Sequence, residues 1–314
     1  MEIKELDFNN FPVGLTSCWL KIVSNSLGHD ISVPVMVLKG KEKGPTFGLT
    51  ALVHGDELNG LLVIHKVFNE IDLNKLKGII VGVPVINVPG FLRKERNFID
   101  GRDLNYKFPG KENGTESSIY AFNIFNKVIK NFDYILDLHT ARIGNVNSFY
   151  VRANLKNKVI YDLSLLLNSD IILNSIGGKG TLRRQANENG IIAITLELGD
   201  PNKFQNEVIS NAVKGIVNCL IYLNIIDGKT SINTNPTICT SSQRINTKGG
   251  GILNVLPGLR SNVKKGEKIA IVSDIFGKVI KEYHSPENGI IIGKNTNPVN
   301  YAGSRIIHLG IVKN

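Results

Sequence analysis

The chain has 314 residues, 42% hydrophobic and 20% charged, a balance that builds a sizeable core and excludes a disordered chain. No apolar run approaches the roughly 20 residues of a bilayer span, the N-terminal MEIKELDFNN lacks a secretory pattern, and Cys18, Cys219 and Cys239 are too scattered for a disulfide framework. The net charge of +10 invites a nucleic-acid partner, but the basic residues are spread singly or in pairs and aromatics reach only 7%, which leaves no stacking platform.

In chain order, the apolar run at 46–53 (TFGLTALV) predicts a buried strand, and apolar spacing predicts a helix over 57–71. Another short apolar run predicts a strand at 78–85, followed by a helix over 118–130 and a strand at 134–138 (YILDL). Residues 163–167 read as part of a helix, 191–198 (IIAITLEL) as a buried strand and 208–223 as a long amphipathic helix. Strands apolar on both faces that alternate with helices imply an α/β domain, with a mostly parallel sheet flanked by helices. The character changes after Gly228. Residues 230–240 (TSINTNPTICT) are polar and turn-rich and predict a linker, and the glycine-punctuated runs beyond it predict a small all-β module of barrel or sandwich type. The expected domains are therefore 1–235 and 236–314.

Three signals carry chemistry. His54-Gly55-Asp56-Glu57 stands where the first strand gives way to a helix, and one turn there aims His54 and Glu57 at the same point. An imidazole and a carboxylate are ordinary zinc ligands, and a catalytic zinc takes three protein ligands and a water. The competing reading is a helix start whose acids complement the dipole. His139 closes the strand YILDL, and Asp137, two residues earlier, points to the same side, where its carboxylate can hold the second ring nitrogen. Glu197 sits in an otherwise apolar or threonine run, so it requires a partner. That partner is either a metal-bound water, which makes Glu197 a general base and acid, or a buried cation. All three signals fall at the downstream ends of strands, where open parallel sheets place their sites.

The segment RNFIDGRDLNYKFPG at 96–110 reads as a long functional loop. Arg96 or Arg102 is a candidate to polarise a carbonyl, and Asn105 to bind a polar group of the substrate. The alternative is a solvated loop whose charges pair with one another.

HGDE, DLN-x-x-FPG, DLHT and LELG, in that order, resemble the succinylglutamate desuccinylase/aspartoacylase family of the zinc carboxypeptidase-like group. The resemblance runs to about residue 235 and extends into the tail, whose VKKGEKIAIVSDIFGKVIKEYHSPENGIIIG is similar to the β module of predicted deacylases. It implies a zinc carboxypeptidase-like fold, one Zn2+ held by His54, Glu57 and His139, and Glu197 as the catalytic glutamate. It also implies that Arg96 polarises the carbonyl, with Arg102 closer to the motif, and that Asn105 touches substrate. Where the family reads D-L-N-R, with the arginine gripping a carboxylate, this chain has Tyr106, which keeps a hydroxyl and loses the charged fork.

The expected function is zinc-dependent cleavage of an amide, in an N-acyl amino acid or related small amine, by a cytoplasmic enzyme. The rivals are a metallocarboxypeptidase or amidase acting on a short peptide, and a catalytically silent binding protein. The expected partner is a small N-acylated substrate, with no nucleic acid and no membrane; a homo-oligomer is left open.

Overall fold

The computed structural model describes residues 1–232 and 235–312. Residues 233 and 234 of the expected linker therefore lie outside the described residues. A ten-stranded mixed sheet dominates. Its first half contains β1 (Glu2–Ile3), β2 (Gly14–Ser24), β3 (Asp30–Lys39), β4 (Glu42–Ala51) and β5 (Lys77–Val83). Helices α1 (Asn59–Glu70), α2 (Val88–Arg93) and α3 (Glu116–Lys127) are connected to these strands, and β6 (Tyr134–His139) follows. Next come β7 (Asn145–Asn147), β8 (Phe149–Ala153), α4 (Lys158–Leu166), β9 (Ile171–Asn174), α5 (Leu182–Glu188), β10 (Ile192–Leu198), α6 (Asn206–Tyr222) and β11 (Thr237–Cys239).

The sheet runs β1-β2-β3-β5-β4-β6-β10-β8-β9-β11. Its centre, β5-β4-β6-β10, is parallel and built from the apolar runs. Buried side chains of α1, α4 and α6 pack in a cluster that includes Val63, Leu163 and Ile216. Those of α3 and α5 pack in a second cluster with Tyr120, Phe125 and Leu182. Strands covered on both faces cannot alternate polar with apolar residues, which is why they read as continuous apolar runs.

Two expectations change here. The antiparallel β2–β3 pair is absent from the predicted elements because β2 buries one face only, through Cys18, Leu20 and Ile22, and so forms no apolar run. The linker expected over 230–240 ends early: Thr237–Cys239 pairs in parallel with Ile171–Leu173 and adds an edge strand to the large sheet.

The remaining strands are β12 (Ser241–Asn246), β13 (Gly251–Val255), β14 (Asn262–Val263), β15 (Lys268–Ser273), β16 (Val279–His284), β17 (Gly289–Asn295), β18 (Val299–Asn300) and β19 (Arg305–Ile311). They form two sheets, β12-β19-β17-β14 and β16-β15-β13-β18, closed over a core containing Ile269, Ile291, Ile306 and Leu309. This β unit is tied to the rest of the chain by strand pairing, since β7 pairs with β17. A small apolar cluster of Tyr150, Ile171, Leu173, Cys239, Ile290 and Ile292 spans the junction. Among the described residues, no helix is long and apolar enough to cross a membrane.

Candidate metal centre and active-site cleft

β4 stops at Ala51, and Leu52 turns the chain with a left-handed φ of 54°. That strained conformation is held by the Asn87 amide, which donates to the Leu52 carbonyl at 2.8 Å. Glu57 N then donates to His54 O at 3.2 Å, closing a single turn. The helix expected from residue 57 begins only at Asn59, so the turn itself, not a helix face, aims both side chains. Gly55 admits no side chain there, because a Cβ would lie 2.1 Å from the Gly90 carbonyl carbon. His139 is the last residue of β6, and Glu197 is its register partner on β10, so the two point to the same side of the sheet.

The three expected ligands converge. His54 Nδ1 lies 2.8 Å from Glu57 Oε1, His139 Nδ1 lies 2.8 Å from Glu57 Oε2, and the two Nδ1 atoms are 3.2 Å apart. All three side chains are buried. The far ring nitrogens are held by carboxylates: His139 Nε2 by Asp137 Oδ2 at 2.8 Å and His54 Nε2 by Asp103 Oδ1 at 2.9 Å. An ionised carboxylate only accepts, so the His139 proton belongs on Nε2 and its Nδ1 lone pair faces the centre; Asp103 draws the His54 proton to Nε2 likewise, where the Arg96 guanidinium also lies 2.9 Å away. Three electron-rich groups then meet at one point, which is stable only around a positive charge. Tetrahedral zinc with bonds of about 2.0–2.2 Å holds its ligands roughly 3.3–3.5 Å apart. The two imidazoles, 3.2 Å apart, are close to that spacing, the two Glu57 contacts at 2.8 Å are about half an ångström shorter, and the donor set of two imidazoles and a carboxylate fits a zinc ion.

The protonation preferences tell the same story. Burial opposes an imidazolium at His139, but the Asp137 and Glu57 carboxylates outweigh it and hold the ring well above its usual range. His54 is raised as well, with burial and Arg96 opposing and Glu57 and Asp103 prevailing. Burial would raise Glu57, yet the two histidines hold it well below the usual carboxylate range. Without a metal, protons are drawn to the place a metal would fill.

Glu197 is buried and lines the same cleft. Asn147 Nδ2 donates to its Oε2 at 3.2 Å, and Arg152 Nη1 lies 3.5 Å from its Oε1. Asn147 owes its position to the β7–β17 pairing, which is tight because a Cβ at Gly293 would lie 2.3 Å from Asn147 Oδ1.

Of the two candidate arginines, Arg96 is at the centre: it donates to Glu57 Oε1 at 2.6 Å and pairs with Asp103 Oδ2 at 3.3 Å. Arg102 is half exposed, 4.0 Å from Asp100, and is not among the residues that line the cleft. The chain turns back between the two arginines, with Phe98 N donating to Arg102 O at 2.9 Å. Asn105 accepts from Leu182 N at 3.0 Å through Oδ1 and lines the cleft. Tyr106 is exposed at the cleft rim beside Gly178.

Two features escaped sequence reasoning. Asp103, the aspartate of DLN, holds His54 across 49 positions. The cleft also gathers Arg142, Arg152, Arg183, Arg244 and Arg305, single arginines from separate parts of the chain.

The family model of the Succinylglutamate desuccinylase/Aspartoacylase catalytic domain matches residues 43–223. The chain is similar to the N-alpha-acetyl-L-2,4-diaminobutyric acid deacetylase of Halomonas elongata, 24% identical over 278 residues that cover 84% of this chain and 81% of the relative. It also resembles the product-bound ectoine utilization protein EutE (DoeB) from Ruegeria pomeroyi, with a TM-score of 0.88 and 22% identity over 96% of this chain and 97% of the other. A succinylglutamate desuccinylase from Silicibacter sp. TM1040 superposes with a TM-score of 0.87 and 23% identity over 97% and 98% of the two chains.

Proposed function

Because this chain belongs to the succinylglutamate desuccinylase/aspartoacylase family, we propose that it is a zinc-dependent hydrolase that removes the acyl group from an N-acyl amino acid or a related small amine. The observation that carries the reading is the convergence of His54, Glu57 and His139, each backed by a polar group that fixes it. The names of the relatives support the deacylation: one is a deacetylase of acetylated diaminobutyric acid, another a succinylglutamate desuccinylase.

Zinc bound there would act as a Lewis acid on the carbonyl and lower the pKa of a bound water. The chain's own residues do the rest. Asp137 and Asp103 keep both rings in the ligating tautomer by accepting their Nε2 protons. Thr140 N donates to Glu57 Oε2 at 3.0 Å and steadies that carboxylate. Glu197 takes the proton of the attacking water and passes it to the departing nitrogen, which leaves as a free amine. Asn147 and Arg152 orient the Glu197 carboxylate while the proton is in transit. Arg96, within reach of the centre, donates to the carbonyl oxygen as it gains negative charge.

Glu197→Ala tests this assignment. The variant keeps its zinc and loses turnover of N-acyl amines by roughly 100-fold to 10,000-fold, the usual contribution of a general base. A fully active Glu197→Ala protein contradicts it.

A further inference from the structure

Each histidine that faces the metal centre is backed by a carboxylate, and each carboxylate is itself held by further donors. Asp103 takes them from its own loop, from Asn105 N at 3.0 Å and from Arg96 Nη2 at 3.3 Å. Asp137 takes its donor from another strand. Its Oδ2 holds His139 Nε2 at 2.8 Å, while its Oδ1 accepts from Thr50 Oγ1 on β4 at 2.9 Å.

The sheet register brings that donor into place. Thr50 is the partner of Asp137 across the parallel β4–β6 pair, so both side chains stand on the same side of the sheet. Thr195 flanks Asp137 from β10, but its hydroxyl is engaged by Arg183 Nε at 3.1 Å. Thr50 is fully buried in a run, GLTAL, that is otherwise apolar or glycine. Valine would fill that position with the same shape and no polar atom. A buried hydroxyl is unfavourable unless it is bonded, and this one bonds the aspartate behind a metal ligand. Thr50 also stands four residues before His54, on the strand whose end delivers His54 and Glu57. Its hydroxyl therefore ties the strand that brings two of the expected ligands to the support of the third.

We propose that Thr50 is a positioning residue of the metal centre: by donating to Asp137 Oδ1 it fixes the plane of that carboxylate and, through it, the orientation and tautomer of His139. Removing the hydroxyl takes a donor from a buried, ionised acceptor, and the carboxylate is then free to turn away from the ring. Every ligand atom is retained, but one ligand is held less firmly for the metal. This inference rests on the zinc reading of the site, and metal affinity, not turnover, tests it.

Thr50→Val removes the hydroxyl and keeps the branched shape, whereas Thr50→Ser keeps the hydroxyl. The zinc affinity of each full chain is measured against a competing chelator. The valine variant is expected to bind zinc roughly threefold to tenfold more weakly than the wild type, the value of one hydrogen bond, and the serine variant within about twofold of it. In an Asp137→Ala background, Thr50→Val adds no further loss, because the hydroxyl has no carboxylate left to orient. A threonine that only supports the fold gives additive losses in that cycle. Wild-type affinity in Thr50→Val, equal weakening in the serine and valine variants, or additive losses each overturn the proposal. Thermal melts of the metal-free proteins show whether each variant is folded at the assay temperature. If Thr50→Val is not, Thr50→Ala replaces it under the same expectations. A wild-type chain that takes up no zinc overturns the metal reading and this inference together. A zinc-binding wild type with an equally tight valine variant overturns this inference alone.

Discussion

The two halves of the cleft are built on opposite principles. Around His54, Glu57 and His139, each ligand is fixed by a polar group behind it, and the geometry is ready for a metal before one arrives. Arg152, Arg244 and Arg305 line the other half, where Arg152 lies 3.5 Å from the Glu197 carboxylate. The first half is preorganised and tolerates little change. The second gathers cations from separate elements of the chain. The first half comes from the central parallel strands, and the second from elements at the junction with the β unit.

The largest expected effect breaks the ordered half from behind. Asp137→Ala and Asp103→Ala each lower zinc affinity by roughly 10-fold to 100-fold, because the ring behind each loses the acceptor that fixes its tautomer. Titration with a competing chelator measures this, and wild-type affinity in either variant would show that the backing carboxylates are idle.

A smaller effect sharpens the arginine half. His308 is held neutral, pushed down to about 3 first by burial and then by Arg152, Arg244 and Arg305; it also meets Ser242 Oγ at 2.8 Å and the edge of Tyr150. The unfolded chain takes up this proton near the ordinary value of 6.5 while the folded chain refuses it. Its folded pKa is therefore depressed, and for a base the stability falls as pH drops below about 6.5 and levels off near 3. At pH 5 the loss is about 2 kcal/mol relative to neutral pH. Denaturant melts of the wild type and His308→Gln at pH 7 and pH 5 test this, since the variant lacks that share of the loss.

The smallest effect lies outside both halves. Arg102 is half exposed and its carboxylate neighbour is 4.0 Å away, so Arg102→Ala changes stability by less than about 0.5 kcal/mol and leaves kcat/KM untouched. A large loss of turnover would return Arg102 to the site.

The ordered half was legible because its parts sit at strand ends in short motifs. HGDE places two expected ligands three residues apart, DLH places His139 two residues from its support Asp137, and Glu197 stands out as a charge in an apolar run. Asp103 was not legible as the support of His54, because the contact spans 49 positions and a loop rich in Asp and Arg suggests internal pairing. The arginine half left no local trace. Its members come singly from separate elements, and in the sequence they look like the diffuse positive charge of the whole chain. In the fold, the central apolar strands were readable, while β2, buried on one face, and the short β11 in a polar stretch were not.

The central claim is that this cleft is a zinc hydrolase site, and metal content measured alongside turnover tests it most directly. The freshly purified chain is analysed for zinc and assayed for N-acyl cleavage before chelation, after chelation, and after zinc is returned. The expected result is one zinc per chain, with activity lost with the metal and restored by it. Full turnover in protein stripped of metal would contradict the account.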